Sequence, residues 1–144
     1  MPEDLTPSDS RFFADVRAIL AAARSSAATA VNTAMVEAYW NIGKRIVEEE
    51  QGGQAKAAYG DRLIEELSRH LGDEFGKGFS VANLWNFRQF YLTYPDPNSI
   101  LYTLCRELSW SHNRLIMRQV DEDSRLYYLR ETKKQQWSVR QLER

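Results

Sequence analysis

Three side-chain amides recur at helical spacing in the middle of the chain. Asn83, Asn86 and Gln89 are three residues apart in a segment that follows Ser80, a residue type that favours helix N-caps. Side chains three residues apart share one helix face, and such amides can pair bidentately with adenine in the major groove. The spacing indicates either a base-reading face, with Lys77 and Ser80 as further nucleic-acid contacts, or a polar face turned to solvent.

Patterns of catalytic residues are weak. Pro95-Asp96 with Glu131-Thr132-Lys133 spells the PD…ExK pattern, in which carboxylates hold Mg²⁺ from adjacent strand ends. Here one half lies in a Pro-rich turn and the other in a predicted helix, so we interpret the match as chance. The segment Gly72–Lys77 resembles a phosphate loop, but it is one residue too short between its glycines and lacks the final Ser or Thr. We predict no catalytic residue and no cofactor.

The histidines and the cysteine indicate no metal site. His70 and His112 are far apart and have no cysteine near them, so zinc-ligand spacing is absent. We expect His70 on a helix surface and His112 in a packing or capping role. Cys105 is the single cysteine, which excludes an internal disulfide, and we expect it to be a small buried hydrophobe. With neither a signal peptide nor an apolar run of about 18 residues, the cytoplasm is the expected location and no membrane contact is expected.

Charge is distributed unevenly along the 144 residues, although the whole chain has a net charge of -1. Residues 1–76 hold 8 basic and 13 acidic side chains, which gives a net charge of -5, whereas residues 77–144 hold 11 and 7, which gives +4. The basic excess begins at Lys77. This asymmetry favours weak nucleic-acid contact by the C-terminal half, and the competing interpretation is an uneven scatter of solvated charges.

The secondary structure predicted for the whole chain is helical, because in no stretch do apolar and polar residues alternate convincingly with a period of two residues. We predict a flexible terminus over residues 1–10 and an all-α, multi-helix domain over residues 11–144. The predicted helices cover about 9–24, 28–50, 60–71, 81–93, 100–108 and 111–120, then a segment capped by Asp121 and a last helix from Val139 with a Ser138–Gln141 capping box. Ser25-Ser26 either breaks the first helix or lets it continue. The short last helix suggests that the natural protein continues beyond Arg144.

The helices at 60–71 and 81–93, joined by a glycine-containing turn, have the layout of a helix-turn-helix or winged-helix-like unit. Arg88 lies on the apolar side of the second of these helices. We expect it to pair with Glu65 or Glu66, since an unpaired buried charge is costly, with a DNA contact as the alternative. The predicted inward side consists of Val81, Leu84, Trp85, Tyr91 and Leu92, and the predicted outward side consists of Ala82, Asn83, Asn86, Gln89, Phe90 and Thr93.

The helix at 28–50 has two apolar stripes, which is more than a helix packed on one side requires. The first contains Met35, Ala38, Tyr39, Ile42 and Ile46, and the second contains Val36, Trp40, Gly43 and Val47. This helix is therefore either central to the domain or in contact with another subunit. In the second case Val36, Trp40 and Val47, or the flanking N-terminal helix, form a homodimer interface. Gly43 in mid-helix suggests close packing.

Several segments resemble the N-terminal domain of the YhcG-like family of bacterial PD-(D/E)XK nuclease-fold proteins. They run in order from about Phe12 to the end: YWNIGKRIVEEEQ, YGDRLIEELSRHLGDEFGKGFSVANLWNFRQFYLTYP, LSWSHNRLIM and YYLRETKKQQWSVRQLER. The resemblance implies a helix-turn-helix-like, DNA-binding domain followed by a nuclease-fold domain. Val81-Ala82 departs from the family pattern, in which a basic residue is common, and no nuclease residue of the family has a counterpart in this chain.

Two functional hypotheses follow. The first is a DNA-binding, targeting module of a nuclease-like protein that is not an enzyme by itself. The second is a protein-interaction or homodimerisation domain without direct DNA contact, which the net charge and the second stripe around Trp40 favour. A solvent-facing Asn83, Asn86 and Gln89 surface near Lys77 would distinguish the first from the second.

Overall fold

The structure is a computed structural model and describes residues 7–52 and 57–144. These residues form seven helices joined by short segments. No strand occurs in these residues, so the prediction of an all-α domain is confirmed for them. The identification of α2 and α3 as a helix-turn-helix stays a prediction. In chain order the helices are α1 (Pro7–Gly52), α2 (Ala57–Phe75), α3 (Val81–Thr93), α4 (Ile100–Arg106), α5 (Trp110–Ile116), α6 (Glu122–Gln135) and α7 (Val139–Leu142).

Helix α1 is one continuous helix where the sequence left two possibilities open. It passes through Ser25-Ser26 without a break, so the predicted helices at 9–24 and 28–50 are parts of a single element. The Ala-rich surroundings explain this, because alanine is the best helix former and the segment contains no proline. Of the predicted flexible terminus, residues 1–6 lie outside the described residues, and residues 7–10 belong to the first turn of α1.

Side-chain caps fix where the later helices begin. Ser80, Asp121 and Ser138 accept a backbone N–H three residues ahead, as predicted, and Gln141 completes the capping box with Ser138. The N–H of Ser124 holds the pKa of the Asp121 carboxyl below its usual value. Helix α5 differs from the prediction, because Ser109 caps it and it begins at Trp110, before Ser111.

Helices α1 and α3 approach each other closely at Gly43. A Cβ atom placed on Gly43 would lie 2.0 Å from the backbone oxygen of Phe87 and 3.2 Å from Cβ of Tyr91. The predicted close packing at Gly43 is therefore confirmed. Nearby, the indole nitrogen of Trp40 donates a buried 2.8 Å hydrogen bond to the carbonyl oxygen of Tyr94, which occupies the C-cap of α3. Backbone contact and a buried hydrogen bond together fix how α3 lies on α1.

The second apolar stripe of α1 is buried inside this same chain. Val36, Trp40 and Val47 are only 0%, 5% and 7% exposed. These three residues cannot present a surface to another subunit, so their assignment to a homodimer interface is corrected to a place in the domain core. The wide apolar arc that motivated the assignment arises because α1 contacts α2, α3, α4 and α5 around its second half.

Packing around α1 forms two adjoining hydrophobic clusters. One lies towards α4, α5 and α6 and includes Trp40, Phe90 and Leu129, and the other lies towards α2 and includes Ile46 and Ile64. Trp110 contacts both clusters. Its ring centroid lies 5.1 Å from that of Phe87 and 5.2 Å from that of Phe90. Helix α5 is therefore held against α3 by aromatic contacts, which positions the loop that follows it.

Replacing Gly43 by alanine tests the close approach of α1 and α3, and the same replacement at Gly72 is the control. We expect Gly43→Ala to destabilise the domain by about 1–3 kcal/mol, because the new methyl group meets backbone that cannot move aside alone. We expect Gly72→Ala to stabilise it by up to about 1 kcal/mol, because that position lies within α2 with open space around it and alanine favours the helix. Urea denaturation followed by circular dichroism gives both free energies of unfolding. Equal effects of the two substitutions would contradict the importance of the contact.

Candidate nucleic-acid interface

Helix α3 presents a different face to the core from the one predicted. Leu84, Phe87 and Phe90 are all 0% exposed, and Tyr94 after the helix is 2% exposed. Phe90, predicted to face outward, packs edge-on against the ring of Tyr94. The buried positions therefore recur every three residues from Leu84, on a face rotated from the predicted one.

The predicted inward set is also partly wrong. Val81 and Leu92 are exposed, while Trp85 and Tyr91 are half-buried. The physical reason is that α3 is covered on more than one side, by α1, by α2 and by Trp110 of α5. A single division into inward and outward halves cannot describe a helix with neighbours on several sides.

Asn83 and Ser80 support the local structure. The Asn83 side-chain nitrogen donates to the carbonyl oxygen of Gly78 at 2.6 Å, and its Oδ1 accepts from the Trp110 indole nitrogen at 3.2 Å. Ser80 Oγ accepts the backbone N–H of Asn83 as the α3 N-cap. Both polar groups of Asn83 are thus engaged between the α2–α3 turn and α5. Lys77 lies exposed in that turn, between Gly76 and Gly78, whose positive φ angles of 80° and 109° only glycine adopts readily.

Asn86 and Gln89 line a shallow cleft of about 580 Å³ on the other side of α3. Its opposite wall is formed by the segment that joins α5 to α6 and by the first turn of α6. Two arginines come from this wall, Arg118 and Arg125. The full lining consists of Asn86, Gln89, Leu92, Thr93, Met117, Arg118, Gln119, Val120 and Arg125.

Hydrogen bonds order both walls of this cleft. Gln89 donates to the Thr93 hydroxyl at 3.2 Å, and that hydroxyl donates to the Gln89 carbonyl oxygen at 2.8 Å. Across the cleft, Arg125 Nη1 donates to the Gln119 carbonyl oxygen at 2.6 Å. The bond from Arg125 closes the segment between α5 and α6 into a turn against α6. Amides and guanidinium groups are thereby held on facing walls.

The two cleft arginines differ from three other basic residues of the C-terminal half, which form ion pairs. Arg88, Arg106 and Lys133 each pair with a glutamate, whereas no ion pair of the described residues includes Arg118 or Arg125. An arginine that forms no ion pair, such as Arg118, keeps its charge available for a phosphate. The charge of Arg125 also acts on the Asp121 carboxylate one helical turn before it. Sequence reasoning missed the two arginines, although the basic excess after residue 77 was the signal that could have found them.

Arg88 has a structural role, but its partner is not the predicted one. Its Nε lies 2.9 Å and 3.0 Å from the two carboxylate oxygens of Glu50, near the end of α1. Its guanidinium carbon also lies 5.4 Å from the ring centroid of Trp85. The pairing with Glu65 or Glu66 is therefore wrong, because Glu50 is brought to α3 by the α1–α3 packing, which sequence distance does not reveal.

Helix α5 is attached to its neighbours by polar side chains. His112 is half-buried, with Nδ1 2.6 Å from Ser109 Oγ and Nε2 2.8 Å from the Trp137 carbonyl oxygen. Asn113 is fully buried and donates to the carbonyl oxygens of Cys105 and Ser109. The expected packing role of His112 is confirmed, as is the exposed position of His70 on α2. Asn113 was not singled out from the sequence.

The members of the PD…ExK pattern are engaged separately. Asp96 accepts the backbone N–H of Asn98 in the turn after α3. On α6, Glu131 accepts from Gln135, while Lys133 forms an ion pair with Glu107. Within residues 7–52 and 57–144, no group of three or more His, Cys, Asp or Glu side chains is arranged to hold a metal ion.

Comparison with known proteins gives the family. The DUF1016 N-terminal domain matches residues 15–144, which is most of the chain. The chain belongs to the DUF1016 N-terminal domain family. It is also 36% identical over 152 aligned positions to a protein of Escherichia coli (strain K12) named "Putative nuclease YhcG". That alignment covers 85% of this chain and 40% of the relative, so the chain spans well under half of the relative's length. No solved structure gives a significant match.

The described helices of this DUF1016 N-terminal domain include none that is long and apolar enough to cross a membrane. Helix α1 has the necessary length, but arginine and aspartate side chains interrupt its first half and several glutamates its second half. A spanning helix needs about 20 predominantly apolar residues.

The two asparagines of α3 should respond differently to truncation. We expect Asn83→Ala to destabilise the domain by about 1–2 kcal/mol, because it leaves the Trp110 indole N–H and the Gly78 carbonyl without their partner. We expect Asn86→Ala, the matched substitution one turn later in the cleft, to change stability by less than about 0.5 kcal/mol. Thermal and urea unfolding of the two variants measure this difference. A larger loss in Asn86→Ala would refute the division of roles.

Cys105 should be chemically inert while the domain is folded. Burial raises the pKa of its thiol well above the usual value, and the side chain is fully buried in the α4 region of the core. Since the thiolate is the reactive form, its fraction stays negligible through neutral and mildly alkaline pH. We expect no reaction with Ellman's reagent at pH 8 until urea unfolds the chain, after which one thiol reacts. Rapid labelling of the folded protein would show that the region opens readily.

Proposed function

We propose that this DUF1016 N-terminal domain is a DNA-binding module that targets a nuclease-like protein and has no catalytic activity by itself. The cleft between α3 and the α5–α6 segment carries the proposal. It combines amides able to contact base edges, Asn86 and Gln89, with two arginines able to contact phosphates, Arg118 and Arg125. The similarity to a protein named as a nuclease supports a role connected with nucleic acid.

The proposed contacts differ in part from those expected from sequence. Lys77 remains in the proposal as an exposed cation of the α2–α3 turn. Asn83 and Ser80 are proposed to act indirectly, by fixing the start of α3 and the turn before it. Because the cleft supplies two arginines and the turn supplies Lys77, the number of phosphate contacts is small and the affinity is modest, with a strong dependence on salt.

A nuclease-fold domain beyond this module is part of the same proposal. The resemblance to YhcG-like proteins implies it, and the chain corresponds to 40% of the matched relative. In this arrangement the module supplies DNA binding, and the other part of the protein supplies the carboxylates for Mg²⁺. The separate engagement of Asp96, Glu131 and Lys133 supports the assignment of cleavage to another domain.

DNA binding can be tested by charge reversal with a matched control. We expect Arg118→Glu to weaken binding at least tenfold for duplexes of every sequence and to lower the salt dependence, because a phosphate contact is lost. Arg62→Glu makes the same change in net charge on the exposed surface of α2, outside the cleft, and should have a much smaller effect. Fluorescence anisotropy with duplex, single-stranded and branched DNA at two salt concentrations measures both variants.

The same binding experiments, repeated with different duplex sequences and with added Mg²⁺, measure base recognition and DNA cleavage. We expect Asn86→Ala to reduce discrimination at an adenine by about 1–3 kcal/mol, and we expect added Mg²⁺ to produce no cleavage. Equal effects of Arg118→Glu and Arg62→Glu would indicate nonspecific attraction. Absence of binding at low salt would instead favour a protein-interaction domain, the alternative that the exposed first half of α1 supports. Cleavage abolished by Asp96→Ala would show that the PD…ExK pattern is functional.

A further inference from the structure

Large apolar side chains in the first half of α1 are exposed to solvent in the described part of the chain. From Asp9 to Met35 every residue except Thr33 is exposed, although the segment carries many apolar side chains. Five of the large ones are between 40% and 68% exposed, namely Phe12, Phe13, Val16, Ile19 and Leu20. Long helices obtain most of their stability in water from packing of an apolar face, so this exposed face calls for a partner.

The apolar residues of this segment form one continuous seam. The seam positions alternate between three and four residues apart, the spacing of a coiled coil. They are Phe13, Val16, Leu20, Ala23, Ala27, Ala30 and Ala34, all of them exposed. Phe12 and Ile19 extend the seam on one side, and Val31 and Met35 extend it on the other. Such a pattern fits a partner that is itself a helix.

The seam is asymmetric in side-chain size, and this asymmetry selects the partner. Its N-terminal half carries phenylalanine, valine, isoleucine and leucine, and its C-terminal half carries mainly alanine. An antiparallel second copy places the bulky half of each helix on the alanine half of the other, whereas a parallel copy sets bulky against bulky and leaves gaps between alanines. Close packing requires large side chains to face small ones. The bulky part of the seam in one copy therefore fits the alanine part in the other copy, and the reverse contact is identical by two-fold symmetry.

Area and charge agree with pairing of two copies. At 1.5 Å per residue the segment is about 40 Å long, and one third of the surface of a helix about 10–12 Å wide amounts to roughly 400–500 Å² per copy. Two copies then bury roughly 800–1,000 Å², close to the lower limit of about 1,000 Å² for specific interfaces. The charged residues Asp9, Arg11, Asp15, Arg17 and Arg24 are mixed in sign. Such a mixture gives little attraction to an anionic lipid surface, which needs a predominantly basic polar face.

We propose that residues 9–35 of α1 form an antiparallel helix pair with the same segment of a second copy of this chain. The dimer is weak, with dissociation in the micromolar range, because the buried area is near the minimum. The proposed interface lies on residues 9–35 and not on Val36, Trp40 and Val47, which are buried in the core. It is independent of the proposed DNA cleft, whose lining residues lie on α3, on α6 and in the segment between α5 and α6.

Sedimentation equilibrium of the whole chain between 1 and about 300 µM, without DNA, tests self-association. We expect the apparent mass to rise with concentration from 16.7 kDa towards twice that value. Leu20→Glu should raise the dissociation constant at least tenfold by placing a charge in the seam. Ala22→Glu introduces the same residue on the opposite face of the same helix turn and should leave the dissociation constant within twofold. Circular dichroism confirms that both variants keep their helices.

Orientation is tested by disulfide trapping between two variants that each add one cysteine to the chain, whose own Cys105 is fully buried. In an antiparallel pair, Val16→Cys of one copy lies near Ala30→Cys of the other, within the roughly 7 Å between Cα atoms that a disulfide requires. In an equimolar mixture random pairing gives twice as much mixed disulfide as either homodimer, so we expect an excess far above twofold, on the order of tenfold or more, because only the mixed pair brings its two thiols within bonding distance. Preferred Val16→Cys homodimers would overturn the antiparallel arrangement. A monomer at 300 µM, or equal effects of Leu20→Glu and Ala22→Glu, would overturn the proposal while leaving the DNA-binding proposal standing.

Discussion

The arrangement of this domain depends on the contact between Gly43 of α1 and the backbone of α3 at Phe87. With any side chain at residue 43 the two helices would have to separate, since a Cβ atom there would lie 2.0 Å from the Phe87 carbonyl oxygen. The close approach lets Trp40 reach the carbonyl oxygen of Tyr94 and lets Glu50 reach Arg88. A glycine that weakens the isolated helix by up to about 1 kcal/mol therefore permits a backbone contact, a buried hydrogen bond and an ion pair.

This packing also determines which residues of α3 are available for binding. Because α1, α2 and Trp110 surround the face that carries Leu84, Phe87 and Phe90, only a strip of α3 on the opposite side remains open. Asn86 and Gln89 lie on that strip, and Asn83 does not, since its amide joins the α2–α3 turn to Trp110. The same aromatic contacts fix α5, and the segment after α5 supplies the arginines opposite the strip.

The sequence predicts features that depend on residues close together in the chain better than features that depend on contacts between distant residues. Local interactions were predicted well: the Ser80 cap, the bounds of α3 and the Ser138–Gln141 box all depend on residues within one helical turn. Periodicity predicted the all-α class, but not the orientation of α3, because a helix with several neighbours lacks a single apolar face. The Glu50 partner of Arg88 and the cleft arginines depend on tertiary packing between residues far apart in the sequence. Their positions could not be read from spacing.

Helix α1 connects the proposed DNA cleft and the proposed dimer interface on one rigid element. Its second half fixes α3 and so the cleft, and its first half carries the exposed seam, with no proline or glycine between Pro7 and Gly43 to bend the helix. In an antiparallel pair the two clefts are then held at a fixed distance and related by a two-fold axis. Each cleft offers few cations, but two clefts on one duplex bind with an effective concentration set by that geometry. Weak dimerisation and weak DNA contact would therefore reinforce each other, because a duplex that engages both clefts favours the paired state by mass action.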